Sequence, residues 1–218
     1  MSKIFSTFEA KFIKVNMESV IFKRKAYQKL LEWKRDSAGK TALLIEGARR
    51  IGKSTLVEQF AKKEYKSYIL IDFANIKPQV SNLIANGFAD LDDFFTRLQF
   101  LSGVQLYERQ SLIIFDEVQL QPLARQAIKY LVKDGRYDYV ETGSLISIRQ
   151  NVQNIVIPSE EERIQMFPMD YEEFCWALGD TSTFPLLEQA FARRKSLGDD
   201  VNRYLMRKFR LYMLIGGM

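Results

Sequence analysis

The chain alternates short apolar runs with amphipathic stretches, and the alternation sets the expected elements. Apolar runs at 42–46, 65–73, 111–116, 137–142 and 162–167 read as strands. Leu112 to Phe115 is the continuous kind found where both faces of a strand are buried. Between the strands the apolar positions recur at helical spacing. Leu91, Phe94, Phe95, Leu98 and Leu101 form one stripe and Leu123, Ala127, Ile128 and Leu131 another, both expected to face a core. Ahead of the first strand the pattern predicts a helix around Glu18 to Arg35, ended by Gly39. After Met169 it becomes wholly helical. "DYEEFCWALG" offers Asp170 as N-cap with Glu172 and Glu173 at the positive helix end, and a long helical run follows from about Leu186 to Ile215. Strands joined by helical crossovers of this length require right-handed βαβ units and a mostly parallel sheet. The expected fold is α/β, a mostly parallel five-stranded sheet flanked by helices. It divides into a helical extension (1–40), a core (41–170) and a helical lid or the start of a further region (171–218).

Chemistry enters with "EGARRIGKST", residues 46–55, which follows the first apolar run. The spacing Gly47-x-x-x-x-Gly52-Lys53-Ser54 is the Walker A pattern. A glycine at each end lets the backbone turn tightly, so that the amides of Gly47, Ala48, Arg49, Arg50, Ile51 and Gly52 approach phosphate oxygens without obstruction by a side chain. Lys53 is placed to reach the β- and γ-phosphates and the Ser54 hydroxyl to ligate Mg²⁺. Thr55 onward continues as a helix whose positive end faces the anion. The expected ligands are therefore ATP or ADP with Mg²⁺.

Two further strand ends complete the expected site. In "SLIIFDEVQ" the apolar run ends abruptly in two acids. Asp116 is positioned to hold the magnesium shell, and Glu117, on the opposite side of the strand by alternation, to polarise an attacking water as general base. In "YDYVETGS" the strand closes on Thr142-Gly143-Ser144, which brings two hydroxyls to the same edge. Thr142 and Ser144 are both candidates for the sensor position of P-loop NTPases of the additional-strand type.

Composition narrows what this site can belong to. With 218 residues and 47% hydrophobic content the chain can bury a full core. No apolar run approaches a membrane span and the N-terminus lacks a secretory h-region, so a cytoplasmic protein without membrane contact is expected. The single cysteine, Cys175, excludes an internal disulfide framework, and the absence of histidine excludes His-based metal sites and Ser-His-Asp catalysis. Cys175 and Trp176 are expected to pack their helix. The net charge of +5 is concentrated at the two ends, in Lys23-Arg24-Lys25, Arg193-Arg194-Lys195 and Arg207-Lys208-Phe209-Arg210. Such runs are usually solvated helix faces; a surface for nucleic acid or an acidic protein partner is the alternative.

"GARRIGKSTL", "IFDEVQ", "ETGS", "IPSEEERIQMFPMDYEEFCWALG" and "FRLYMLIGGM" together resemble the prokaryotic AAA+-superfamily ATPases that carry a C-terminal domain of unknown function. The resemblance spans about residues 40 to 218, and its "MFPMDYEEF" and "YMLIGGM" segments are more specific than the Walker motifs. It implies nucleotide and magnesium roles for Gly52, Lys53, Ser54, Asp116 and Glu117. Many such relatives have Gly-Arg where this chain has Glu162-Arg163. They also continue past Gly-Gly-Met into a further domain, which implies that this chain is an N-terminal fragment. An arginine from a neighbouring subunit commonly completes such sites, so a homo-oligomer is expected, with Arg149 and Arg163 as the candidate arginines and slow turnover for the fragment alone. The implied activity is Mg-dependent ATP hydrolysis coupled to movement of the helical lid. A nucleotide-gated scaffold with negligible turnover and a nucleic-acid-remodelling motor are the alternatives.

Overall fold

The computed structural model describes residues 22–144 and 159–217. Helix α1 (Ala26–Ser37) precedes β1 (Ala42–Gly47), α2 (Lys53–Glu64), β2 (Ser67–Asp72), α3 (Pro78–Asn86), α4 (Leu91–Ser102), β3 (Ser111–Asp116), α5 (Pro122–Asp134), β4 (Asp138–Ser144) and β5 (Glu161–Met166). Helices α6 (Tyr171–Ala177), α7 (Thr183–Ala192) and α8 (Gly198–Ile215) follow. The five strands form one sheet in the order β2-β3-β4-β1-β5, with every neighbouring pair parallel. All five expected strands are present within about two residues of their expected ends.

The sheet is buried on both faces, and each face has its own apolar cluster. On one side Leu30 and Trp33 of α1 and Val57, Phe60 and Ala61 of α2 cover Leu43, Ile45, Leu112, Ile114 and Val140. On the other, Phe94, Phe95 and Leu98 of α4 and Ala127, Ile128 and Leu131 of α5 cover Leu44, Ile69, Ile113, Phe115 and Tyr139. Two helical stripe positions differ from expectation. Leu101 is 37% exposed and Leu123 48% exposed. Leu123 lies in the first turn of α5, where Ala124 takes the inward position; Leu101 closes α4 beside β2, the last strand of the sheet, with no further strand beyond it.

The N-terminal helix begins at Ala26, and Glu18 lies outside the described residues. Tertiary partners engage the residues just before it: Lys25 N–H donates to Glu173 Oε1 at 2.6 Å, and the Arg24 guanidinium reaches Ile51 and Phe167. At its other end the helix stops at Ser37, where Ala38 and Gly39 both turn left-handed. The expected helical run from Leu186 to Ile215 is two helices, broken between Ala192 and Gly198, with Arg194 and Gly198 both at positive φ.

Helix α6 carries the capping box that its sequence announces. Glu173 N–H donates to Asp170 Oδ1 at 2.9 Å, and Asp170 N–H returns a bond to Glu173 Oε2 at 3.1 Å. Tyr171 sits against Phe209 and Tyr212 of α8, with ring centroids 5.2 and 5.6 Å away. Cys175 is buried and packs the helix as expected, whereas Trp176 is half-buried beneath the Lys23 ammonium, 4.3 Å from its ring centroid. Asp180 pins α8 to the turn after α6: it accepts from Lys208 and from the Ser182 and Thr183 amides. The Lys208 ammonium, then the Thr183 hydroxyl, hold its carboxyl well below the usual 3.8. A carboxyl depressed by folding stabilises above its unfolded value, and that stability is lost as pH falls through the folded one. Helix α8 should therefore loosen progressively below about pH 4. Hydrogen exchange of the 198–215 amides, corrected for intrinsic rates, reads this, and Asp180→Asn should remove the pH step while leaving α8 loose throughout.

Candidate functional site

The carboxyl ends of the strands share one edge: Gly47 is in register with Ser144 and Met166, and Asp72 with Asp116. The glycine-rich loop leaves that edge from β1. Its two glycines are required for different reasons. A Cβ on Gly47 would lie 2.3 Å from the Met166 carbonyl oxygen and 2.7 Å from Ile51 Cδ1, so close packing against β5 demands glycine there. A Cβ on Gly52 would make only an ordinary contact, 3.8 Å from Arg24 Nη1, but the residue has a φ of +89°, a torsion that side chains resist. Arg50 also turns left-handed, at φ 65°, and Ile51 between them is buried in the α1–α2 cluster, anchoring the loop. Ala48, Arg49, Arg50 and Thr55 are exposed along the loop and the first turn of α2. No side chain caps that turn, so its leading amides face the loop.

Lys53 is buried, and its Nζ donates to the carbonyls of Gly47 at 3.1 Å and Ala48 at 2.7 Å. Burial pushes the ammonium pKa down, while the charges of Glu117 and Asp116 pull it back up and Arg49 opposes them. Ser54 Oγ donates to Asp116 Oδ1 at 2.8 Å, and Thr142 Oγ1 donates to the same oxygen. Thr142 Oγ1 also accepts from the Glu117 amide at 3.3 Å. Lysine, hydroxyl and carboxylate from three strand ends thus converge at one place.

Glu117 departs from the expected strand alternation. The strand ends at Asp116, and Glu117 turns left-handed at φ 56°; its carboxylate accepts from the Gln119 side-chain Nε2 and is near enough to Lys53 for its charge to act on the ammonium. The two hydroxyl candidates also separate. Thr142 is a buried strand residue committed to Asp116, whereas Ser144 lies one step further out, at the last position of β4 beside Gly47.

Reading the sequence missed Arg24. Its side chain is 10% exposed and joins three segments: Nη1 donates to Ile51 O at 2.8 Å, Nη2 donates to Phe167 O at 2.6 Å, and Nε lies 3.3 Å from Glu173 Oε1. Lys25 pairs with Asp170 and Glu172, each at 2.7 Å. Within the Lys23-Arg24-Lys25 cluster, Arg24 turns inward and Lys25 pairs with acids of the "FPMDYEE" segment, while Lys23 and Lys25 stay exposed. Arg193, Arg194 and Lys195 are exposed, as are Arg207 and Arg210. Met169 N–H donates to Gly217 O at 2.7 Å, and a Cβ on Gly217 would lie 2.1 Å from Met169 O. Tyr212 OH donates to that same oxygen at 3.0 Å. The two segments most specific to the resemblance therefore pack on each other. With Phe22, Arg24, Gly52 and Gln59 they line a cleft of about 260 Å³ beside the loop.

Arg163 is engaged by two acids of the sheet. It sits in mid-strand opposite Leu44, with Nε donating to Glu161 Oε1 at 2.8 Å and Nη1 3.9 Å from Glu46. Arg149 lies outside the described residues.

With β4 inserted between the loop-bearing β1 and the acid-bearing β3, fold and site define a nucleotide-binding P-loop module of the additional-strand, AAA+ type. The chain belongs to the AAA domain family, whose profile matches residues 39–175. Among solved structures it is similar to C. elegans PCH-2, with 15% identity and a TM-score of 0.35 over 67% of this chain and 41% of that one. No curated protein matches the chain. Among the described residues no helix is long and apolar enough to cross a membrane.

Proposed function

We propose that the chain binds ATP with Mg²⁺ and hydrolyses it, with residues 41–170 as the ATPase core between an N-terminal extension and a C-terminal helical lid. The convergence of Ser54 and Thr142 on one oxygen of Asp116, beside Lys53, carries this reading. Ser54 and Asp116 would hold the cation, and Thr142 fixes the Asp116 carboxylate in place. The donor set fits: the described residues contain no cluster of three His, Cys, Asp or Glu, and a P-loop magnesium site needs only one hydroxyl and one carboxylate besides phosphate and water. When bound, Mg²⁺ neutralises charge on the phosphate oxygens. The loop amides and Lys53 bind the phosphates, Lys53 exchanging its loop carbonyls for phosphate oxygens. Glu117 orients and deprotonates the water, and Ser144 at the tip of β4 contacts the γ-phosphate.

A slow form of this reading, a nucleotide-gated scaffold, is favoured by one observation: Arg163 is committed to Glu161 and Glu46. An arginine supplied by a second copy would then set the rate, and such a residue is worth roughly 10³- to 10⁵-fold. The motor reading loses its N-terminal support, because Lys25 and Arg24 are paired with acids.

Lys53→Ala should abolish binding of a fluorescent ATP analogue in equilibrium titration, since the loop loses the cation aimed at the β- and γ-phosphates. Unchanged affinity would sink the nucleotide reading.

A further inference from the structure

Arg24 lies outside every motif, yet among the described residues its side chain contacts both the loop and the first of the C-terminal helices. The loop passes through two left-handed residues, Arg50 at φ 65° and Gly52 at φ 89°, with Ile51 between them. At such a turn, the orientation of the peptide linking Ile51 to Gly52 decides whether a carbonyl or an amide faces an anion. In a trans peptide the two point in opposite directions. Arg24 Nη1 draws the Ile51 oxygen outward with a 2.8 Å charge-assisted bond, which leaves the Gly52 N–H aimed the other way.

The other two contacts of the guanidinium differ in kind: Nη2 donates a hydrogen bond to Phe167 O, whereas Nε meets Glu173 as a 3.3 Å ion pair without hydrogen-bond geometry. Phe167 O belongs to the first residue after the end of β5, and Glu173 belongs to the capping box of α6. Glu173 accepts in addition from the Lys25 and Asp170 amides, so it moves only if both the start of α1 and the start of α6 move. The planar guanidinium thus ties the loop and the segment after β5 by two hydrogen bonds from one rigid fork, with Glu173 held to it by charge.

We propose that Arg24 is a positioning residue of the nucleotide site. It acts through the Ile51 carbonyl, and its shared grip on Phe167 and Glu173 transmits phosphate occupancy of the loop to the C-terminal helices. The inference rests on the nucleotide-binding reading above and adds to it the route by which the site and the helices communicate.

Trp176 reports on this joint. It lies on α6 with the Lys23 and Lys25 ammonium groups 4.3 and 5.8 Å from its ring centroid, and the other tryptophan, Trp33, is buried in the core. In a Trp33→Phe background of the full chain, Mg-ATP should change Trp176 emission, with Lys53→Ala as the silent control. Arg24→Ala should lower affinity for a fluorescent ATP analogue by about tenfold or more and lose the emission response even at saturating ATP. Glu173→Gln keeps the shape and the amide contacts but not the ion pair. It should bind the analogue within about threefold of the parent and still lose most of the response, a separation that general loosening of the fold does not produce. Arg24→Lys keeps the charge without the fork and should fall between the parent and Arg24→Ala; it serves as the test if the alanine variant does not fold. If the parent binds no nucleotide, the functional reading and this inference both fail. If the parent binds but Arg24→Ala and Arg24→Lys match it in affinity, or Glu173→Gln responds fully, the inference alone is overturned.

Discussion

Glu117→Gln should leave nucleotide affinity near that of the parent while lowering turnover by about 10²- to 10⁴-fold, the range associated with a lost general base. The substitution is close to isosteric. The left-handed backbone at residue 117 does not depend on the carboxylate's charge, and the Thr142 bond to the Glu117 amide is untouched. What disappears is an acceptor able to take a proton from water, while the phosphate contacts of the loop and Lys53 stay in place. Removing one negative charge near Lys53 strengthens its hold on phosphate slightly, so affinity should rise if it changes at all. Asp116→Asn should behave differently. Its oxygen is the shared acceptor of Ser54 and Thr142, so the loss should appear first as a weakened dependence on Mg²⁺. Phosphate release measured alongside equilibrium titration separates the two variants. Equal and complete loss of binding in both would contradict the separate roles.

Arg125→Ala should destabilise the fold by about 3–5 kcal/mol, the usual consequence of stripping one partner from a buried ion pair. The Arg125 guanidinium meets Glu161 through Nε at 3.3 Å and Nη2 at 3.2 Å, with side chains 3% and 0% exposed. Glu141 lies beside them, fully buried; burial first, and then the Glu161 charge, raises its pKa well above the ordinary carboxyl value. Without Arg125 only the partly exposed Arg163 offsets a pair of buried carboxyls. Loss of the Arg125 charge removes one of the two arginines that restrain Glu141, so its folded-state value moves further up, and a group raised by folding stabilises the fold at low pH and withdraws that stability as pH increases. The stability deficit of Arg125→Ala relative to the parent should therefore shrink on mild acidification, and Glu161→Gln in the same background should restore part of it at neutral pH. Urea unfolding at two pH values measures both effects. A deficit under about 1 kcal/mol, or one that grows on acidification, would contradict the buried-pair account.

The features legible in the sequence were those written in local order. Strand positions followed from apolar runs, the loop from its spacing, and the α6 start from Asp170 and Glu173 three residues apart. The orientation expected for Glu117 extended the alternation of β3 one residue past the point where the backbone leaves the strand. The two glycines carried the pattern without revealing that Gly47 answers to β5, a strand more than a hundred residues downstream. Arg24 was hidden for the same reason: inside a Lys-Arg-Lys run nothing local distinguishes the member that folds inward, and its three partners are distant in sequence. Glu141, Glu161 and Arg125 were equally silent, since a charge in a strand or helix pattern reads as a solvent-facing position until its counter-charge is placed opposite. Leu123 shows the converse, an apolar residue on the right helical period but one position away from the face that α5 buries.

The position of β1 between β4 and β5 also governs how the chain can assemble. Strands β2 and β3 are sequential neighbours that can pair through one crossover, whereas both partners of β1 begin at residue 138 or later. Pairings of that sequence separation carry a high loop-closure cost and form late. During synthesis the first strand to emerge is therefore the last to find its place, and it waits with its apolar "ALLI" run exposed while most of the rest of the sheet is made. The loop that β1 carries packs at Gly47 against Met166 of β5, so it reaches its full set of contacts only once β5 is in place. A ligand held by that loop would therefore favour the fully paired sheet over partly assembled forms.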